Sequence, residues 1–230
     1  MLSWLPENIS TFGPQIDRLF YVVHYIVTVT FVLVMAVFVW CLIMYRHREG
    51  RRATYTHGNT TLEIAWTIAP ALILVFLGLA SKSIWDEVKE NIPVGDVQVM
   101  VTGKQFNWEI VYPGPDGKFA TEDDLQIDND LHVPINKKVR INLGAKDVIH
   151  SFFVPQLRLK QDALPGRTIG MWFEATKAGI YEIPCAELCG FGHSGMKGRL
   201  IVHDAAGYDA WQKEQWPARV QLDTSDSKRG

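Results

Sequence analysis

The chain has 230 residues, of which 47% are hydrophobic, and a formal net charge of −2 at pH 7. From residue 85 onward it contains 21 Asp and Glu against 17 Lys and Arg, with no basic run interleaved with aromatic residues. This composition argues against nucleic acid as a partner. Three cysteines are too few for a disulfide framework at this length, so we expect one domain, or a membrane anchor followed by a smaller domain.

The first predicted element is a membrane-spanning helix over residues 19–45. This run contains no Asp, Glu, Lys or Arg, and about 20 apolar residues are enough to span a bilayer. It is too long for a signal peptide, and no small-residue cleavage site follows it. Residues 1–18 are therefore predicted to form a short N-terminal tail outside the membrane.

A second span is predicted over residues 62–84, whose only charged residues, Glu63 and Lys82, are near its ends. The connecting loop, residues 46–61, carries four arginines, whereas the N-terminal tail has only Arg18. Because short loops rich in Lys and Arg stay in the cytoplasm, we expect this loop to be cytoplasmic. The N-terminal tail and everything after Trp85 are then expected in a periplasm or its equivalent.

Glu63 has two possible roles at the start of the second span. A carboxylate at this depth is costly unless it faces protein or water, which is typical of a proton or ion pathway. The segment T-T-L-E could instead form a capping box at the helix N-terminus, where an acidic side chain is favourable. The residues alone leave both roles open.

Residues 85–204 are predicted to form an all-β domain. Short runs rich in β-branched and aromatic residues are separated by turn signals. These runs are V-Q-V-M-V-T-G, F-N-W-E-I-V-Y, K-V-R-I-N-L, V-I-H-S-F-F-V and K-G-R-L-I-V-H. Their spacing predicts a sandwich or Greek-key barrel. Residues 205–230 are expected to form a short helix and a mobile tail.

An acidic stretch interrupts this pattern between the second and third runs. Its simplest interpretation is a solvated hairpin, since the spacing of its carboxylates does not match an EF-hand loop. A docking patch for a basic redox partner is the functional alternative. The acidic residues of the stretch are Asp116, Glu122, Asp123, Asp124, Asp128 and Asp130.

The most informative segment, residues 185–196, reads C-A-E-L-C-G-F-G-H-S-G-M. Thiolate, imidazole and thioether groups are soft ligands that favour copper. With His150 upstream there are five such side chains, too many for one tetrahedral ion. Two copper ions bridged by both thiolates would use all five, and a centre without an open position suits electron transfer. A plain Cys185–Cys189 disulfide is the alternative, but it leaves His193 and Met196 unexplained.

Glu187 lies between the two cysteines of this segment. Its backbone carbonyl could complete the coordination of a copper ion, while its carboxylate points elsewhere. A carboxylate is a suitable ligand for a hard cation such as Mg²⁺.

These segments resemble subunit II of the haem–copper cytochrome c oxidases over nearly the whole chain. The copper segment is similar to the family pattern C-x-E-x-C-G-x-x-H-x-x-M. The segments V-I-H-S-F-F-V-P and K-Q-D-A-L-P-G-R resemble the family's region around the first histidine. The segment T-L-E-I-A-W-T-I-A-P resembles its second membrane helix.

The resemblance implies a cupredoxin-like domain holding a dinuclear copper centre, called CuA. It implies that Cys185 and Cys189 bridge both coppers. One copper would be completed by His150 and Met196, and the other by His193 and the Glu187 carbonyl. The Glu187 carboxylate would bind Mg²⁺ or Mn²⁺ at the interface with subunit I. Glu63 would lie at the entrance of a proton pathway into subunit I.

One segment departs from the family. Relatives usually have two tryptophans flanking one residue, and the first receives the electron from cytochrome c. Here the segment is G-K-Q-F-N-W-E, so Phe106 replaces that tryptophan and Trp108 remains. The donor could therefore dock differently or be a membrane-bound cytochrome. The residues assigned to electron uptake and cytochrome docking are Phe106, Trp108, Glu122, Asp123, Asp124 and Asp128.

The expected function is electron uptake from a c-type cytochrome and transfer to haem in subunit I, for O₂ reduction to water coupled to proton translocation. The subunit carries no residue of the O₂ chemistry itself. Subunit I, subunit III and membrane lipid are its expected partners in a bacterial inner membrane. The alternatives are a quinol oxidase subunit, whose relatives lack the copper ligands, and a membrane-anchored copper carrier, whose ligands would be exposed.

Overall fold

The computed structural model describes residues 4–216, which divide into two compact units. One unit contains residues 15–86, the helical hairpin. The other contains residues 87–216 together with residues 4–14 from the N-terminus. The predicted mobile tail, residues 217–230, lies outside the described residues.

Two long helices form the hairpin: α1 (Gly13–Met44) and α2 (Thr60–Trp85). Both are long and apolar enough to cross a membrane, and most of their large apolar side chains are exposed, as expected for surfaces that contact lipid. α1 begins six residues before the predicted span, because Pro14 is well suited to the first turn of a helix.

The start of α2 bears on the role of Glu63. The N-cap is Asn59, whose side-chain oxygen accepts a hydrogen bond from the Leu62 N–H at 3.1 Å. Thr60 is therefore the first helical residue and not the cap. A capping box requires the threonine at the N-cap position, so the T-T-L-E capping box is not formed.

The second unit consists mainly of β-strands. They are β1 (Val97–Lys104), β2 (Asn107–Tyr112), β3 (Leu125–Asp128), β4 (Asp130–Pro134), β5 (Lys138–Ala145), β6 (His150–Val154), β7 (Leu159–Ala163), β8 (Ile169–Glu174), β9 (Gly179–Pro184) and β10 (Lys197–His203). A final helix, α3 (Ala205–Gln215), follows.

The strands form a five-stranded sheet in the order β3-β2-β1-β5-β8, a three-stranded sheet in the order β4-β10-β9, and the hairpin β6-β7. The pairs β1–β5 and β4–β10 are parallel, and the other pairs are antiparallel. The predicted fold class is confirmed: a two-helix membrane hairpin is followed by an all-β cupredoxin-like domain.

The N-terminal segment has a role that the sequence did not indicate. Ile9 and Phe12 are fully buried within the β-rich unit. Ser10 forms a β-bridge with Ala175, and the Phe12 ring contacts the Trp172 ring edge-on at 5.6 Å. Residues 9–12 thus complete the core of the β-rich unit instead of extending as a tail.

Candidate metal centre

Strand pairing positions the centre at one end of β6, β9 and β10. His150 is the first residue of β6, and residues 185–196 form the loop from β9 to β10. The loop is closed at its base by a hydrogen bond from Cys185 N–H to the Met196 carbonyl, at 3.0 Å. A second bond, from Ala186 N–H to the Ser151 carbonyl at 2.9 Å, joins the loop to β6.

The two thiols lie at the middle of the donor set. Their Sγ atoms are 3.9 Å apart, so both cysteines are free. Cys185 Sγ lies 3.9 Å from His150 Nδ1, and Cys189 Sγ lies 3.5 Å from His193 Nδ1. Met196 Sδ is 3.7 Å from Cys189 Sγ. All five predicted side-chain donors are therefore brought together.

Glu187 presents its two oxygen-bearing groups in different directions. Its carbonyl oxygen lies 3.3 Å from Cys185 Sγ, so it belongs to the donor cluster. Its side chain is exposed. The two groups are therefore available to different partners, and the assignment of the carboxylate to a second cation stays a prediction.

The donor separations suit metal ions. Sulfur and nitrogen atoms at about 2.3 and 2.0 Å from one tetrahedral ion are about 3.5 Å apart, and two sulfurs are about 3.8 Å apart. The observed separations, 3.3 to 3.9 Å, fall close to these values. Five side chains and one carbonyl exceed the ligand number of one such tetrahedral ion.

Burial favours the uncharged form of the Cys189 thiol as long as no metal is bound. Cys185, Cys189, Met196 and His150 are all buried. Burial, together with the neighbouring Cys185, raises the pKa of Cys189 to about 11. The Cys189 thiol is therefore protonated at neutral pH, and metal binding has to displace its proton.

Asp147 orients the buried imidazole of His150. Its carboxylate oxygen lies 2.8 Å from His150 Nε2. Burial alone would raise the pKa of Asp147, but hydrogen bonds from His150 and from the Gln105 and Val148 N–H groups outweigh it and hold the pKa at about 2. An ionised carboxylate only accepts, so Nε2 carries the proton and Nδ1 is left free towards the thiols.

The predicted electron-uptake residues differ sharply in exposure. Trp108 is fully buried, donates its indole N–H to the Ile183 carbonyl at 3.2 Å, and contacts the His150 ring edge-on at 6.1 Å. Phe106 is 40% exposed, and its ring lies so close to Gly192 that a side chain there would overlap it. Phe106 thus covers the loop from outside, while Trp108 supports His150 from inside.

The predicted docking carboxylates also separate into two groups. Asp123 and Asp124 are half-buried and accept hydrogen bonds within their own loop, from Thr121 and from the Ala120 N–H. Glu122 and Asp128 are exposed. The Asp128 carboxylate accepts a hydrogen bond from the Asn107 side-chain N–H of the neighbouring strand at 2.8 Å, but both side chains of the second pair remain open to solvent.

Glu63 is not part of the metal centre. It lies in the first turn of α2, in the hairpin unit, with an exposed side chain.

Two contacts of the centre were missed by sequence reasoning. Asp147 precedes His150 by three residues, and an acidic residue close to a candidate histidine ligand is a signal that could have found it. Gln105 donates its side-chain N–H to the Cys189 carbonyl at 2.6 Å. It is 84 positions from Cys189, and no local pattern points to this bond.

Comparison with known proteins identifies matches over both units. The family model described as the periplasmic domain of cytochrome c oxidase subunit II matches residues 97–204. The model described as the transmembrane domain of the same subunit matches residues 4–84. The second match includes all of α1 and all of α2 except its last residue, Trp85.

Curated relatives align along most of the chain. The cytochrome c oxidase subunit 2 of Thermostichus vulcanus is 32% identical over 91% of this chain and 78% of its own length. An alternative cytochrome c oxidase subunit 2 of Bradyrhizobium diazoefficiens is 30% identical over 92% and 83%. The crystal structure of the periplasmic domain of cytochrome oxidase subunit II of Bradyrhizobium japonicum is 32% identical, covers 55% of this chain and 98% of its own, and has a TM-score of 0.48.

Proposed function

Because the chain belongs to the cytochrome c oxidase subunit II family, we propose that it accepts electrons from a c-type cytochrome through a dinuclear copper centre. Six residues would hold the two copper ions: His150, Cys185, Glu187 through its carbonyl, Cys189, His193 and Met196. Electrons would pass on to haem in subunit I, where O₂ is reduced to water with proton translocation.

The convergence of four further donors on one pair of free thiols carries this proposal. The 3.9 Å separation of the Sγ atoms excludes a disulfide in this structure and leaves both sulfurs available to bridge. When bound, a pair of copper ions held by these residues would supply reversible one-electron chemistry. A single ion would leave part of the donor set unused.

The residues around the donors limit movement and exclude water. The imidazole of His150 is held by Asp147 on one side and by the buried Trp108 ring on another. The loop is tied at both ends by backbone hydrogen bonds. A buried, tightly held ligand set changes little between charge states, which suits rapid electron transfer and not the release of copper to another protein.

An apolar surface beside the loop is the proposed docking region for the cytochrome. Phe106, Leu188 and Phe191 are exposed on or against the loop, and Phe191 is fully exposed. Exposed apolar groups of this kind mark interaction sites. Glu122 and Asp128 would add attraction for a basic donor. Since Trp108 is fully buried, it would act between the surface and His150 and not as the contact with the donor.

Two further sites complete the proposal. The exposed Glu187 carboxylate would bind Mg²⁺ or Mn²⁺ together with subunit I, and Glu63 would lie at the entrance of a proton pathway. Both groups are exposed in the single chain, as residues that serve a contact with another subunit would be. The chain would sit in a bacterial inner membrane beside subunits I and III, with the arginine-rich loop in the cytoplasm and the copper centre in the periplasm.

Electron paramagnetic resonance of the copper-loaded full chain in detergent tests the central claim. The full chain is required because Ile9 and Phe12 form part of the core of the β-rich unit. The expected spectrum shows one unpaired electron shared equally by two copper nuclei. A single-copper spectrum, or no bound copper, would contradict the proposal and favour the structural or carrier alternatives.

A further inference from the structure

The loop between α1 and α2 encloses a basic cavity of about 560 Å³. Four of its lining residues are arginines: Arg46, Arg48, Arg51 and Arg52. The lining contains no Asp or Glu among the described residues, since Glu49 of the same loop is not part of it. A volume of this size is within the range of ligand-binding pockets.

The shape of the loop depends on contacts that turn it back onto the end of α1. The Arg51 guanidinium donates a hydrogen bond to the Met44 carbonyl at 3.0 Å and lies 6.0 Å from the centre of the Tyr45 ring. The Arg51 N–H also donates to the Arg48 carbonyl at 3.2 Å, across Gly50 with its φ of +78°. The chain reversal therefore concentrates the arginines around one concave surface.

The cavity lies where a membrane-spanning helix ends. α1 ends at Met44, and Tyr45, the first residue of the cavity lining, follows directly after an apolar run without charged side chains. Aromatic residues such as Tyr45 mark the level of the lipid headgroups. The hydrogen bond from Arg51 to the Met44 carbonyl keeps Arg51 next to the end of α1, at the level of the headgroups.

We infer that the arginine cavity binds the phosphate of an anionic phospholipid headgroup. Basic pockets next to membrane helices attract such headgroups, and a guanidinium matches phosphate oxygens with paired N–H donors. The retention of positive charge near the cytoplasm accounts for the sign of the charges. The positive-inside rule does not explain why the arginines line a concave surface that contains no acidic residue. It also does not explain why Arg51 is hydrogen-bonded to the end of α1.

Lipid selectivity of the full chain in phosphatidylcholine vesicles tests the inference. The measurement is the association of spin-labelled phosphatidylglycerol relative to spin-labelled phosphatidylcholine. The double variant Arg48→Gln/Arg52→Gln removes two lining charges but leaves the contacts of Arg51 in place. The matched control, Lys118→Gln/Lys213→Gln, removes two charges from exposed positions of the β-rich unit.

We expect the wild-type chain to prefer phosphatidylglycerol on the order of tenfold, and the arginine variant to lose most of this preference. The control should keep it. Equal association of both lipids with the wild type, or an unchanged preference in the arginine variant, would overturn the inference. An equal loss in both variants would indicate bulk charge and would also overturn it. Displacement of the labelled lipid by inorganic phosphate would assign the cavity to a soluble anion instead.

Discussion

The β-rich unit contains two histidine clusters that use different partners. At the metal centre, His150 Nε2 is paired with the Asp147 carboxylate and Nδ1 is left for the thiols. In the second cluster, His132 Nδ1 lies 2.8 Å from His203 Nε2. This contact occupies one ring nitrogen of each histidine with another imidazole, whereas the carboxylate at His150 fixes one nitrogen and leaves the other facing the thiols.

The surroundings of the two clusters differ as well. His150 is fully buried beside other metal-type donors. His132 and His203 are only partly buried, and the His132 ring stacks on Trp211 of α3 at 4.7 Å. The comparison indicates that the first cluster is arranged to bind a metal and the second to hold α3 against β4 and β10. His132 and His203 are 71 positions apart in the sequence, so no local pattern indicates this pair.

Removal of a thiol that we propose to bridge the two coppers should have the largest effect on this comparison. Cys189→Ser replaces a soft sulfur donor with a hard hydroxyl, so we expect complete loss of the proposed two-copper paramagnetic spectrum. The matched change in the other cluster, His132→Gln, should leave the spectrum intact. A two-copper spectrum from Cys189→Ser would mean that Cys189 does not bridge.

Loss of the carboxylate partner should have the next largest effect. Asp147→Ala frees the His150 ring to rotate, and loss of such a supporting group lowers metal affinity by about 10- to 100-fold. Copper affinity measured by competition with a chelator checks this value. Asp147→Asn should recover part of the affinity because its amide oxygen can still accept from Nε2, and Asp128→Asn should have no effect. Equal losses in all three variants would argue against a positioning role.

Close packing of β1 against His150 gives a third prediction. A Cβ atom on Gly103 would lie 2.9 Å from two atoms of the His150 ring, which is closer than side chains normally approach. Gly103→Ala should therefore destabilise the apo β-rich unit by about 1–3 kcal/mol, as overpacking does, and displace the His150 ring. Chemical denaturation followed by tryptophan fluorescence measures the first effect. Gly195→Ala, where a Cβ atom meets no neighbour within 4 Å, is the control, and equal stabilities would contradict the prediction.

The smallest expected effect is a pH dependence from the paired histidines. Burial, together with His203, lowers the pKa of His132 from 6.5 to about 4, although Asp130 opposes this change. The unfolded chain therefore binds the proton first, and stability should fall as the pH falls from about 6.5 to about 4. Because the ring is partly exposed, the slope should be a fraction of the limit of about 1.4 kcal/mol per pH unit.

Thermal unfolding of the apo protein at several pH values, followed by tryptophan fluorescence, measures this slope. His132→Gln should flatten it. Tyr112, Asp130, Arg199, His203 and Asp204 also face or influence the pair, so the variant is compared with wild type at each pH. An identical slope in both proteins would assign the pH dependence to other groups.

Local patterns predicted much of the fold and all the donors of the centre. The two uncharged apolar runs correspond to α1 and α2, and each of the five predicted strand runs overlaps a strand of the structure. The strands β3, β4, β7, β8 and β9 were not predicted. The segments of β3 and β7, L-Q-I-D and L-K-Q-D-A, mix polar and apolar residues. Such strands are specified by the neighbours to which they hydrogen-bond and not by their own propensity.

The sequence by itself determined which chemistry is possible: two apolar spans long enough for a membrane, and a soft donor set within residues 185–196. The tertiary structure decided where that chemistry is assembled. Parallel and antiparallel strand pairing brings His150 to Cys185 across 35 positions, and Gln105 to Cys189 across 84. It also brings Ile9 and Phe12 into the β-rich core. Spacing along the chain encodes local contacts, whereas partners this distant are set by strand register and core packing.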